Sequence, residues 1–252
     1  MNRVPYFGPD LARVHHEGYA FHADRCAPGI LHLLESVRAA GGAVLELGAG
    51  SGHLTRHLLA AGHRVIATDA SPAMLDVLDL LGREFAGDRS TGHLEVAPLV
   101  LPTDPVPACD AVVSVGHVLS YLDTEADVRG ALVSSAEALR PGGVLAVDLC
   151  APDYFEAQDL TVARSRSGDG WLLVVTYSSP DPGRFVRHIT TFVRQGDDLW
   201  RRDDEDHTNV LVDPAPLLDL LARHGVAAAV AHGFGDEVLP PGLVTVVGRK
   251  AP

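Results

Sequence analysis

The stretch Ala43-Val44-Leu45-Glu46-Leu47-Gly48-Ala49-Gly50-Ser51-Gly52 constrains this chain more than any other. A short apolar run enters three glycines that alternate with small residues, and His53-Leu54-Thr55-Arg56-His57-Leu58-Leu59 then takes up helical spacing. That order predicts a buried strand, a tight loop and a helix start, the layout of a nucleotide-binding crossover. Glycine is needed where backbone must bend sharply or approach a ligand with no Cβ in the way. The helix that follows points its unpaired N–H groups at whatever rests on the loop.

The spacing is G-x-G-x-G, with Glu46 two residues ahead of the first glycine. A dinucleotide fingerprint reads G-x-G-x-x-G, and its last glycine position holds His53 here. The segment instead resembles motif I of the class I S-adenosylmethionine (SAM)-dependent methyltransferases, as Glu46-x-Gly48-x-Gly50-x-Gly52. Two further segments add to the resemblance. Arg64-Val65-Ile66-Ala67-Thr68 reads as a second strand ending at Asp69, where a carboxylate is placed to accept hydrogen bonds from both ribose hydroxyls. The alternative for Asp69 is a helix cap, since Ser71-Pro72 opens the next helix. Arg140-Pro141-Gly142-Gly143, followed by Val144-Leu145-Ala146-Val147-Asp148-Leu149, closely resembles the family's Pro-Gly-Gly turn and fifth strand.

The resemblance implies SAM as donor and S-adenosylhomocysteine as product, on an α/β fold. That fold is a doubly wound, seven-stranded, mostly parallel sheet with an antiparallel last strand. It implies a donor site of Glu46, Gly48, Ala49, Gly50, Gly52, Asp69, Ala70, Met74, Leu99 and Val115. The family often places an aspartate after the third strand to meet the adenine amino group. This chain has Ala97-Pro98-Leu99 there, so adenine is expected on apolar side chains such as Met74 and Leu99.

Around that core the rest of the chain falls into place. Residues 1–40 read as a helical cap: an amphipathic Asp10–Phe21, then a second helix opened by Pro28 and closed by Gly41-Gly42. Residues 43–157 and 213–250 carry the Rossmann-like core of one 252-residue domain. Between them, 158–212 reads as an inserted antiparallel meander over the acceptor site: Trp171–Tyr177, Arg184–Val193 and Leu199–Arg202 are β-branched and aromatic, and turn residues separate them. Thr124-x-x-Asp127 resembles a capping box.

Ligands in open α/β sheets lie beyond the carboxyl ends of the strands. His117 and Tyr121, after the fourth strand, are therefore the nearest candidates for the acceptor, with His15, His16, Tyr19 and His188 as further substrate contacts. Methyl transfer needs a base only when the acceptor must lose a proton. His117 is the first candidate for that base and His207 the second.

Composition narrows the partners. The net charge is −13 and Lys250 is the single lysine, which excludes the clustered cations that grip nucleic acid and disfavours anionic membranes. No apolar run approaches the ~20 residues of a membrane helix. The N-terminal residues lack a signal-peptide core. Cys26, Cys109 and Cys150 form no ligand pair and no even disulfide framework. A cytoplasmic monomer or homodimer acting on a small molecule, without a metal, is expected. Other readings are an NAD-dependent oxidoreductase, disfavoured by the absent third glycine and the lack of a Tyr-x-x-x-Lys pair, and a non-catalytic SAM-binding regulator.

Overall fold

Short apolar runs alternating with helical stretches, and the tight turns between them, produce a parallel sheet with crossover helices. The computed structural model describes residues 6–85 and 92–252. The sequence reading of Met1–Pro5 therefore lies outside the described residues. Three helices come first: α1 (Pro9–Gly18), α2 (Phe21–Leu33) and α3 (Glu35–Ala39). The core then runs β1 (Ala43–Leu47), α4 (His53–Ala60), β2 (Arg64–Asp69), α5 (Pro72–Phe85), β3 (His93–Pro98), β4 (Cys109–Ser114), α6 (Glu125–Ala138) and β5 (Leu139–Cys150). After a short α7 (Tyr154–Ala157) come β6 (Arg164–Gly168), β7 (Trp171–Asp181), β8 (Arg184–Arg194) and β9 (Trp200–Val210). The chain returns to the core through α8 (Ala215–Arg223), β10 (Val226–Ala231) and β11 (Leu243–Lys250).

The main sheet has seven strands in the order β10-β11-β5-β4-β1-β2-β3. Pairs β1–β2, β1–β4, β2–β3 and β4–β5 are parallel, while β11 runs antiparallel to both β5 and β10. This is the doubly wound sheet with one reversed strand that the sequence predicts. Every residue of β1 is buried, as a strand covered on both faces requires. One core, with Ile30, Leu58 and Leu78, lies under α2, α4 and α5; the other, with Leu132, Val147 and Leu221, lies under α6 and α8. None of the described helices is long and apolar enough to cross a membrane.

The second sheet has four strands, β6-β7-β8-β9, all antiparallel. It is larger than the three strands expected. Arg164–Gly168 adds an edge strand, and the acidic run Asp203–Asp206, beyond the expected Leu199–Arg202, lies within β9, which continues to Val210. Alternation explains this. Glu205, His207 and Asn209 face inward and keep the period of a strand that polar outward residues disguise. The inner face of this sheet packs Trp171, Leu173, Val175, Ile189 and Val193 against Leu11 and Val14 of α1.

The helical cap also differs from expectation. Pro28 does not open a helix but sits inside α2. An interior proline lacks the N–H that would bond the carbonyl four residues back, at a cost of about 3 kcal/mol. The buried stripe Cys26, Ala27, Ile30 continues through it and holds the helix together against the core. Thr124 behaves as predicted, accepting the Asp127 amide hydrogen at 3.1 Å as the cap of α6.

Candidate functional site

The glycine loop is held open by its own backbone. Gly48, Gly50 and Gly52 have φ of +60°, +57° and +83°, conformations that side chains with a Cβ rarely adopt. A Cβ on Gly48 would also stand 2.3 Å from Val118 Cγ1. Asp69, at the tip of β2, ties the loop down: its Oδ2 accepts the Gly50 amide hydrogen at 2.9 Å and its Oδ1 accepts that of Ser71 at 2.8 Å. The cap of α5 is Ser71, whose Oγ accepts the Met74 amide hydrogen at 3.2 Å. Asp69 therefore does not serve as that helix's cap. A carboxylate has about four lone-pair directions, so capacity remains toward a ligand. Burial pushes the Asp69 carboxyl up, against the pull of the amides it accepts.

This loop lies at one end of a cavity of about 1020 Å³. Glu46, Gly48, Ala49, Gly50, Asp69, Ala70, Met74, Leu99 and Val115 all line it. Glu46 accepts the Thr55 hydroxyl hydrogen at 2.7 Å, fastening β1 to α4. Burial pushes its carboxyl up to about 8, so it keeps its proton at neutral pH. The roof at this end is α1 and the segment before it. His15 places Nδ1 3.1 Å from Ser51 Oγ, stacks on Tyr19 at 5.7 Å and meets the Phe7 ring edge-on at 5.5 Å. Burial, then His53 and His16, lower its pKa to about 3.

The opposite end lies under the four-stranded sheet. Arg187 of β8 donates to Tyr121 Oη at 2.6 Å and to His117 Nε2, and stacks over the rings of Tyr121 and Phe185. With Arg187 donating, His117 is neutral, its Nε2 lone pair is engaged and its Nδ1 carries the hydrogen. Burial, then Arg187 and His22, hold its pKa well below the ordinary histidine value. Behind the loop after β4 stands Asp148 of β5, fully buried. Its Oδ1 accepts the His117 amide hydrogen at 2.7 Å, and its Oδ2 accepts that of Gly116 at 2.9 Å. The same Oδ2 lies 3.1 Å from His22 Nε2 on α2. His22 lines the cavity, so the site contains a histidine oriented by a buried carboxylate. Among the described residues no cluster of three or more His, Cys, Asp or Glu is placed to hold a metal ion.

Comparison with known proteins places this geometry. Residues 45–145 match the family described as "Methyltransferase domain". Over those residues the chain is similar to a methyltransferase domain. The uncharacterized methyltransferase YrrT of Bacillus subtilis is 34% identical over 105 residues, 41% of this chain and 46% of that protein. This chain thus spans less than half the length of that curated relative. Among solved structures, an S-adenosylmethionine-dependent methyltransferase from Clostridium acetobutylicum superposes with a TM-score of 0.79 at 16% identity, covering 96% of this chain and 98% of its own. CalS10, an amino pentose methyltransferase from Micromonospora echinaspora, superposes with a TM-score of 0.70 at 18% identity, covering 98% and 99%. Both likenesses extend beyond the methyltransferase domain to the helical cap and the second sheet, and concern the fold.

Four residues singled out from sequence stand away from the cavity. Gly52 turns into the core, where a Cβ would stand 2.7 Å from Leu81 Cδ2, so it shapes the loop without lining the cavity. His16 is exposed and stacks on His53 at 5.6 Å. His188 faces outward from β8, with Ser178 Oγ at 2.9 Å and Asp206 at 2.7 Å, because its neighbour Arg187 takes the inward position. His207 is inward but fully buried, with Nε2 2.9 Å from Glu205, and does not line the cavity. His15, Tyr19, His117 and Tyr121 do line it.

Three cavity-shaping residues were missed: His22, Asp148 and Arg187. Sequence signals for two of them exist. His22 lies on the stripe that continues to Cys26 and Ile30 at helical spacing. Arg187 occupies an inward position in the alternation Phe185, Arg187, Ile189, Thr191, Val193, where a charge needs a reason.

Proposed function

We propose that the protein transfers a methyl group from SAM to oxygen or nitrogen of a small-molecule metabolite, releasing S-adenosylhomocysteine. The observation that carries this reading is Asp69 gripping the Gly50 amide beside the cavity, within a methyltransferase domain. The residues present fit the donor. The glycine backbone leaves room for it, Asp69 keeps acceptor capacity for a ribose, and Met74 and Leu99 offer an apolar seat for adenine. When bound, SAM supplies an activated methyl group: the acceptor lone pair takes the methyl carbon, and the C–S electrons stay on sulfur.

The remaining work belongs to the chain. Alignment and exclusion of water fall to the roof of Phe7, His15 and Tyr19 and to the sheet of 158–212 above the acceptor half. A hydroxyl acceptor must also lose its proton. His22 is the group placed to take it: with Nε2–H donated to Asp148, the lone pair stands on Nδ1. His117, whose Nε2 already accepts from Arg187, serves as a wall and as a donor at Nδ1. An amine that arrives neutral needs no base.

The amino pentose methyltransferase among the structural neighbours supports a small acceptor bearing an amine or hydroxyl, of the kind made in secondary metabolism. The reading carries a monomer or homodimer in the cytoplasm, and the net charge of −13 supports action away from nucleic acid and anionic membranes. The test is formation of S-adenosylhomocysteine from SAM across a panel of small amines, amino sugars and phenols. Turnover with at least one acceptor is expected. SAM binding with no turnover on any of them contradicts the enzymatic reading and favours a regulator.

A further inference from the structure

Arg187 is a cation enclosed by neutral groups. Its hydrogen bonds go to Tyr121 Oη and His117 Nε2, two neutral partners, and leave three of its five N–H donors. Its cross-strand neighbours are Tyr177 on β7 and His207 on β9. Tyr154 of α7 and the Tyr121 and Phe185 rings complete its surroundings. Among the described residues no carboxylate lies within ion-pair distance of it. Two carboxylates on neighbouring elements, Asp148 of β5 and Glu205 of β9, are occupied by other partners. Asp148 accepts from Gly116, His117 and His22, and Glu205 accepts from Phe7, Gly8 and His207.

Two other arginines on this sheet, both on β9, show the contrast. Arg201 makes a two-pronged pair with Asp10, and Arg202 pairs with Asp204 at 2.9 Å. Taking a guanidinium out of water without a counter-charge is expensive, and buried charges are normally paired. A planar guanidinium with free donors matches a carboxylate or phosphate in two-pronged fashion. Arg187 lines the cavity on its acceptor side, between Tyr121, Tyr154 and Tyr177.

We propose that Arg187 selects an acceptor bearing an anionic oxygen group, a carboxylate or a phosphate, which supplies the counter-charge the protein withholds. This rests on the methyltransferase reading for the word acceptor; the anion site itself does not. The aromatic walls place an apolar or ring-bearing body next to that anion, and His117 Nδ1, a buried donor with no partner among the described residues, is a second group such an acceptor can satisfy.

The test uses matched probes titrated calorimetrically into the full chain: benzoate and phenyl phosphate as anions, benzamide as the neutral isostere of benzoate. At least one anion is expected to bind about 10-fold or more tighter than benzamide, and the tighter of the two tells carboxylate from phosphate. Arg187→Met should abolish that preference, and Arg187→Lys should keep part of it. Titration of S-adenosylhomocysteine into each variant checks that the donor end is intact. Equal affinity for benzoate and benzamide without phenyl phosphate binding overturns the proposal. So does failure of both anions to bind, or a preference that survives Arg187→Met. If Arg187→Met does not fold, the wild-type comparison and Arg187→Lys still decide. Should S-adenosylhomocysteine fail to bind while the anion preference holds, the donor reading falls and the anion site stands.

Discussion

Phe7 and Glu205 stand 198 residues apart in sequence, and the Phe7 amide donates to Glu205 Oε2 at 2.9 Å. Gly8 donates to Oε1 of the same carboxylate, also at 2.9 Å, and Ser71 Oγ donates to the Phe7 carbonyl at 2.7 Å. The segment before α1 is thereby strapped between the second sheet and the start of α5 at the glycine-loop end of the cavity. Phe7 adopts φ of +64° to make these contacts, a conformation a non-glycine residue holds only under tertiary restraint.

Glu205→Ala should release that strap. Losing hydrogen bonds to a charged group costs about 1.5–3 kcal/mol. Hydrogen exchange at the Phe7 and Gly8 amides should accelerate, and S-adenosylhomocysteine should bind more weakly because Phe7 lines the cavity. Burial alone would raise the Glu205 carboxyl, but His207 and the Gly8 and Phe7 amides outweigh it and hold it below its ordinary value. A depressed carboxylate contributes stability that is present above its unfolded pKa and is lost as pH falls through the folded one. Exchange rates unchanged by the substitution would contradict the strap.

Glu46 gives a pH dependence of opposite sign. Its folded pKa of about 8 lies above the ordinary 4.5, so folding takes up a proton between those values. Its contribution is fully present below about pH 4.5 and is lost as pH rises through about 8. Wild-type melting temperature should therefore fall relative to Glu46→Gln as pH rises through that window, by the equivalent of a few kcal/mol. Two parallel curves would show that Glu46 ionises without penalty.

His22→Ala should lower turnover on a hydroxyl acceptor by roughly a hundred- to ten-thousand-fold, the usual worth of a general base. Asp148→Asn should follow it, since Asp148 orients the ring. Neither should change donor affinity much, and turnover on an amine that arrives neutral should be spared. A fully active His22→Ala enzyme on a hydroxyl acceptor would return the role to another group.

The glycine-loop end of the cavity was legible because its demands are local. A tight loop needs Gly48 and Gly50 in sequence order, and the acid that holds the loop sits one strand later, so Glu46, Asp69 and Ala70 line the cavity together. The end under the second sheet is assembled from α2, the loop after β4, β5 and that sheet, and no spacing rule links them. A histidine's sequence position did not reveal its facing. His188 and Arg187 differ by one residue, and one step along a strand exchanges cavity for solvent. His22 was hidden by the helix boundary drawn at Pro28, which separated it from the stripe it belongs to. The acidic residues of β9 fell outside the expected strand Leu199–Arg202 because their outward members dominate, although Glu205 faces in and holds the strap.

The central claim is that the cavity end floored by the glycine loop and gripped by Asp69 binds SAM. Calorimetric titration of S-adenosylhomocysteine and of NAD into wild type and Asp69→Ala tests it most directly. The account predicts that wild type binds S-adenosylhomocysteine and not NAD, and that Asp69→Ala weakens the binding by about 2–3 kcal/mol as charged hydrogen bonds are lost. NAD binding in preference to S-adenosylhomocysteine, or unchanged S-adenosylhomocysteine affinity in Asp69→Ala, would contradict it.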